Sequence, residues 1–211
     1  SKEDNMIRSF EKNEDIHLST AATVFNIPLE KVTKQQRSHA KIVNFGIIYG
    51  VSAFGLSNQT DLNIKESKSL IETYYLKYPK LKQFIENQIS FARDKGYVET
   101  ILGRRRILRD INSTNSVVRS AAERNAVNAP IQGSAADIIK ISMINIQKEF
   151  VSKKIKSKML LQIHDELVFD VFKPELNKVM EIVRYQMENA FKLDIPLSVD
   201  IDYGVNWLEA H

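Results

Sequence analysis

The 211-residue sequence contains no cysteine. Disulfide frameworks, thiolate zinc sites and a cysteine nucleophile are therefore excluded, and any metal must be held by oxygen or imidazole. No apolar run approaches the roughly 18 residues that a membrane helix needs. The N-terminal SKEDNMIRSF lacks the apolar core of a secretory signal. These absences lead us to expect an intracellular protein with no membrane partner. Internal repeats and low-complexity linkers are also missing. What remains, 43% hydrophobic and 27% charged residues, is the profile of a globular chain with one large domain or two small ones.

The formal charge of +4 is unevenly spread. Between Ile101 and Asn125 lie Arg104, Arg105, Arg106, Arg109, Arg119 and Arg124, opposed only by Asp110 and Glu123, so this stretch carries a surplus equal to the whole net charge. Every cation in it is arginine, which suits bidentate phosphate contacts. A solvated charged face is the competing reading.

Local signals divide the chain into elements. DIHLSTAATVFN reads as a helix with Asp15 as N-cap and Asn26, Ile27 and Pro28 as its exit. Thr33 and Gln36 form a capping-box pattern that opens a helix over about 34–49, and Gly50 closes it. Asn63 and Glu66 repeat the device for a helix that breaks before Pro79, and another runs to Gly96. YVETILGRRRIL reads as two short strands about a turn. Helical periodicity from Val117 is expected to end at Pro130, and a longer helix with Ile139, Met143, Ile146 and Phe150 on its core face follows. MLLQI and LVFDV flank His164, Asp165 and Glu166 as a β-hairpin. Leu176, Val179, Val183 and Met187 mark an amphipathic helix, and LSVDIDY predicts a further strand. The expected fold is α+β and mainly helical, with a helical part over 1–115 and a part over 116–211 that holds a small antiparallel sheet.

Within RSHAKIVNFGIIYG, the residues Arg37, Lys41, Phe45 and Tyr49 recur every four positions. On a helix they form one slowly winding stripe about 18 Å long, with two cations at one end and two rings at the other. That arrangement fits a ligand with phosphates at one end and a flat base at the other, such as a nucleoside triphosphate. Alternatively, Phe45 and Tyr49 are core residues while Arg37 and Lys41 snorkel to water. At a tight turn, Asp165 and Glu166 can both approach one point, where magnesium completed by substrate phosphates is a natural occupant. A solvated polar turn is the plainer reading.

Three blocks, RSHAKIVNFGIIYG, RNAVNAPIQGSAAD and QIHDELVF, resemble in order and spacing the C-terminal polymerase region of family A DNA polymerases, the DNA polymerase I group. YVETILGRRR and the closing NWLEAH add to the resemblance, which runs from about Ser1 to His211. It implies helical fingers and part of the antiparallel-sheet palm of a right-hand polymerase. It further implies that Arg37 and Lys41 hold the triphosphate of an incoming dNTP, with Lys41 also placed to protonate or stabilise the leaving pyrophosphate, and that Phe45 and Tyr49 line the pocket for sugar and base. Gly50, Ser52 and Phe54 would border the templating base. Arg104, Arg119, Arg124, Asn128 and Gln132 would contact primer and template, and His164 would lie near the primer terminus. Asp165, supported by Glu166, would coordinate catalytic magnesium, two ions serving the complete enzyme.

The chain departs from the family pattern in places. The family's other metal-binding aspartate belongs to a DYSQIELR-like strand that does not occur here. We expect it upstream of Ser1, with the sugar-discriminating glutamate, the thumb and any exonuclease domain, and we expect this chain alone to be inactive. Val118 stands where many relatives have a second arginine, and Arg109 where many have proline. Phe45 resembles relatives that reject dideoxynucleotides. The Lys-, Ile- and Asn-rich composition points to an AT-rich genome, such as that of an apicomplexan plastid. The expected location is a DNA-containing compartment, either a bacterial-type cytoplasm or such an organelle. A single-subunit RNA polymerase and a non-catalytic DNA-binding module are the alternative functions.

Overall fold

A computed structural model describes residues 1–210. The chain forms two compact units, Ser1–Gln132 and Gly133–His211. The division falls inside one long helix, Ser116–Ser152.

In the first unit the local signals act as expected, and two helices that the sequence reading did not place, Asp4–Glu11 and Ala53–Ser57, are added. Helix α1 (Asp4–Glu11) precedes α2 (Ile16–Phe25), which Asp15 caps through the amides of His17 and Leu18 and which Asn26 ends in the left-handed conformation. Helix α3 (Lys34–Ile48) opens on a complete capping box of Thr33 and Gln36. Helix α4 (Ala53–Ser57) is capped by Ser52, and α5 (Ile64–Lys77) by the Asn63–Glu66 box. Helix α6 (Pro79–Lys95) has no cap from its own flank. Instead the carboxylate of the buried Glu3 accepts the amide of Lys80 at 3.0 Å, tying the N-terminus of the chain to the start of α6. Val24, Val43, Ile47, Leu56, Leu70, Tyr74 and Tyr78 form the core of these helices.

Strands β1 (Tyr97–Glu99) and β2 (Arg105–Ile107) pair antiparallel, with Val98 opposite Arg106. Their inner side packs with Ala92, Leu108 and Ile111 against Ala122, Ala126 and Ala129 of α7 (Ser116–Ser152). This helix corrects the sequence reading, which ended it at Pro130: the proline lies inside it. A proline there removes the amide that would bond the carbonyl of Ala126, at a cost of about 3 kcal/mol. Burial of Ala126, Val127, Ala129 and Pro130 on the flanking turns offsets that cost.

The second unit is built on the remainder of α7. Ile139, Ile146 and Phe150 are buried as expected, while Met143 is half-buried. Strands β3 (Lys158–Ile163) and β4 (Glu166–Asp170) form an antiparallel hairpin with a register shift between Met159 and Leu161. Helix α8 (Leu176–Glu188) buries Val179, Ile182 and Val183 against Ile146 and Phe150. The strand read at LSVDIDY is not formed. Residues 197–202 alternate between half-buried and exposed, as a strand would, but no ladder pairs them among the described residues. Side chains hold the segment: Arg184 donates to the carbonyl of Val199 at 2.8 Å, and the amide of Val199 donates to Glu188 at 3.3 Å. A period-two pattern reports an extended segment with one covered side, whereas a strand also needs a neighbouring backbone.

Among the described residues, no helix is long and apolar enough to cross a membrane.

Candidate nucleotide and nucleic-acid site

The rotation of α3 decides which of the two readings of its stripe holds. Its inner face is His39, Ala40, Val43 and Ile47, all buried. A polar network fixes that rotation: the Tyr74 hydroxyl donates to Asn44 Oδ1 at 3.0 Å, and Asn44 Nδ2 donates to Thr20 Oγ1 at 3.1 Å. Burial pushes the Tyr74 phenol well above its ordinary pKa, so it stays a neutral donor. With the inner face set, Phe45 is 50% and Tyr49 51% exposed, and Lys41 is exposed beside them. The rings are therefore not core residues. Lys41, Phe45, Tyr49, Val51 and Gln59 line an open cleft of ≈ 420 Å³.

Arg37 lies half-buried at the N-terminal end of the stripe and is not alone there. Its Nε and Nη2 reach Asp15 Oδ2 at 2.8 and 2.7 Å, while Asp15 Oδ1 accepts the amides of His17 and Leu18 at 2.9 and 3.1 Å. One carboxylate thus caps α2 with one oxygen and orients the guanidinium with the other. Burial acts to raise the pKa of Asp15, but the helix amides and Arg37 outweigh it and hold the carboxyl below its ordinary value. His17 tilts against Phe45 with centroids 5.6 Å apart, and its Nδ1 lies 3.1 Å from Asn44 Nδ2. Burial lowers the His17 pKa, and the charges of Arg37 and Lys41 add to that lowering. The sequence reading saw Asp15 only as a cap and did not single out His17. Their proximity to the stripe follows from the packing of α2 on α3, for which the sequence carries no local signal.

Gly50 leaves α3 with a φ of +67°, and an added Cβ would lie 2.8 Å from Cγ of Arg124. The exit of α3 therefore rests directly on α7. Phe54, 63% exposed on the short helix capped by Ser52, follows this exit. On α7, Arg124, Asn128 and Gln132 recur every four residues and make a second stripe. The buried Oδ1 of Asn128 has no hydrogen-bond partner in the protein.

The structure sorts the arginine cluster. Arg105 pairs with Glu99 at 2.8 Å and covers the Tyr97 ring at 4.4 Å. Arg119 donates to the carbonyl of Ser113 at 2.8 Å and, 3.8 Å from it, shares Glu123 with Arg93. Arg104 lies exposed at the turn between β1 and β2, its amide donating to Thr100.

In the second unit, His164 and Asp165 form the two-residue turn of the hairpin, and Glu166 is the first residue of β4, opposite Ile163. His164 takes a φ of +52°, and its carbonyl accepts from Gln162 Nε2 at 2.7 Å. All three side chains of the turn are exposed. The carboxylate oxygens of Asp165 and Glu166 are hard donors that suit magnesium, which takes one or two carboxylates and completes its shell with water and phosphate. No group of three or more metal-capable side chains assembles among the described residues.

This α+β architecture, mostly helical with small antiparallel sheets, is that of the polymerase domain of right-hand polymerases. The profile described as DNA polymerase family A matches residues 1–209, and the chain belongs to that family. A solved structure described as the POL domain of Pol1 from M. smegmatis, complexed with DNA primer-template and dNTP, superposes with a TM-score of 0.94 at 41% identity, over 99% of this chain and 37% of that one. DNA polymerase I of Streptococcus pneumoniae strain R6 is 48% identical over 211 residues, which are 100% of this chain and 24% of the relative. DNA polymerase I of Caldicellulosiruptor bescii is 46% identical over 209 residues, 99% of this chain and 25% of the relative. These relatives are bacterial, and the chain spans about a quarter of their length.

Proposed function

We propose that the protein containing this chain carries out template-directed DNA synthesis, transferring deoxyribonucleotides from dNTPs to a primer 3′-hydroxyl. The observation that carries this reading is the stripe of α3, which keeps Lys41, Phe45 and Tyr49 out of the core and beside one cleft, with Arg37 one turn before Lys41 on the same stripe. On this reading residues 1–115 serve as fingers and 116–211 as part of the palm. Arg37, oriented by Asp15, and Lys41 neutralise the triphosphate, and Lys41 delivers a proton to the departing pyrophosphate. Phe45 and Tyr49 offer stacking surfaces to base and sugar. Gly50, Ser52 and Phe54 border the templating base, while Arg104, Arg119, Arg124, Asn128 and Gln132 hold primer and template, and His164 the primer terminus.

Asp165 and Glu166 are the residues that hold magnesium. When bound, the metal supplies charge neutralisation at the phosphates and acidifies the primer hydroxyl. The hairpin contributes a turn whose carbonyl is tied by Gln162, so the carboxylates are presented from a defined backbone. Because the described residues assemble no larger acidic cluster, residues 1–211 alone are not expected to incorporate nucleotides. The remaining parts of the active site and the rest of the DNA path belong to other segments of the same polypeptide on this reading. The Lys-, Ile- and Asn-rich composition favours an AT-rich genome, a plastid's among them, and phylogenetic placement among bacterial and plastid sequences tests that origin.

Primer extension by the full-length protein tests the function. Lys41→Ala and Asp165→Ala are each expected to lower dNTP incorporation by about 100-fold or more, with ribonucleotides used poorly by the parent. Incorporation that survives Asp165→Ala, or a preference for ribonucleotides, overturns the reading.

A further inference from the structure

Two arginines of the cluster remain without a role. Arg106 and Arg109 make no side-chain ion pair or hydrogen bond among the described residues, unlike Arg105 and Arg119. Both line one open cavity of ≈ 290 Å³, together with Asp110 and with Ala122 and Asn125 of α7. The fold puts them there for a definite reason. Arg106 stands opposite Val98, which is buried in the core that β1 and β2 share with α7. Cross-strand partners share a face, so Arg106 is carried to the edge of that core on the side of α7. Arg109 follows Leu108, whose side chain is buried in the same core. Two guanidinium groups against the single carboxylate of Asp110 leave the cavity positive, and Asn125 adds an amide donor on its α7 wall.

We propose that this cavity is an anion site for a phosphodiester of the template strand that has not yet been copied. The proposal rests on the polymerase reading above. On that reading Asn128 and Gln132 meet primer and template near insertion, and Arg124, in contact with Gly50, stands beside the templating base. On α7 Ala122 precedes Arg124 and Asn125 follows it, so the cavity they line lies level with Arg124, about two turns from Gln132. A strand that runs from Gln132 to Arg124 therefore arrives beside Arg106 and Arg109 where it leaves the templating position. Arginine suits the place because its fork meets two oxygens of one phosphate without reading the base.

The test uses the full-length protein and primer-templates whose 5′ overhangs are one or eight nucleotides long. For the double variant R106Q/R109Q, the slope of log affinity against log salt on the long overhang is expected to fall by about 0.7 for each phosphate that is no longer neutralised. The affinity gained by lengthening the overhang falls with it. Arg105→Gln, which alters an arginine already tied to Glu99 and Tyr97, is expected to leave that gain intact, and circular dichroism checks the fold of both variants. Equal losses on both overhangs, equal effects of Arg105→Gln, or no loss at all overturn the proposal. The parent protein on the one-nucleotide overhang reports the polymerase reading separately: if it incorporates no nucleotide there, that reading fails, whatever the overhang dependence.

Discussion

Replacing Gly50 by alanine measures how firmly the exit of α3 is seated on α7. At a φ of +67° an L-residue is strained, and the left-handed conformation costs about 1–2 kcal/mol. Gly96 provides the reference, because its φ is +76° but an added Cβ meets nothing within 4 Å. Gly96→Ala should therefore show the backbone cost alone, about 1 kcal/mol after the loss of unfolded-state freedom is counted. At Gly50 the same methyl would lie 2.8 Å from Cγ and 3.2 Å from Cδ of Arg124. Relief requires Arg124 to leave its rotamer, adding about 0.5–1.5 kcal/mol. The expected total at Gly50 is about 2 kcal/mol, roughly twice that at Gly96. Arg124→Ala removes both clashing atoms and leaves only Cβ, 3.9 Å away. In that background Gly50→Ala should cost no more than Gly96→Ala, a coupling of about 1 kcal/mol in the double-mutant cycle. Urea unfolding followed by circular dichroism gives each term. Costs that add to within about 0.3 kcal/mol would refute the reasoning, since the exit of α3 would then not rest on Arg124.

Further outcomes follow from single side chains. Glu175 accepts the amides of Lys156 and Ser157 at 3.0 Å and the Ser157 hydroxyl at 2.7 Å, anchoring the entry to β3. The Lys156 amide is the main influence holding its pKa below the usual 4.5. A depressed folded pKa means stability that is present above the unfolded value and lost as pH falls through the folded one. Glu175→Gln should therefore be less stable than the parent at pH 7, with the difference fading below about pH 4.5; a constant difference in urea titrations down to pH 3 would argue against the anchor. Phe45 lines the cleft without a hydroxyl, and Phe45→Tyr in the full-length protein is expected to raise dideoxynucleotide incorporation relative to dNTP. Unchanged termination ratios in primer extension would show a pocket built differently.

Much of the candidate site was legible in the sequence because its signals are local. Asp15, Thr33 with Gln36, and Asn63 with Glu66 close hydrogen-bonded rings over two or three residues, so they fixed helix starts without reference to the rest of the chain. The four-residue spacing of Arg37, Lys41, Phe45 and Tyr49 likewise guaranteed a shared stripe once a helix formed there. Motif spacing, confirmed by the family match over residues 1–209, carried the reading further than periodicity could.

Other features depended on partners distant in the chain. Whether the rings of α3 faced core or solvent was set by Tyr74 and Thr20, respectively thirty and twenty-four residues from the Asn44 they bond. Glu3 finds its amide at Lys80, 77 residues on. Helix α7 continues through Pro130 because buried neighbours offset a missing hydrogen bond, and residues 197–203 pair with no strand among the described residues. Capped helix starts and the side chains that share a stripe were readable along the chain, since both depend on short-range geometry. Which way each stripe faces and which arginines are already engaged emerged with the fold, because those outcomes depend on packing between segments far apart in the chain.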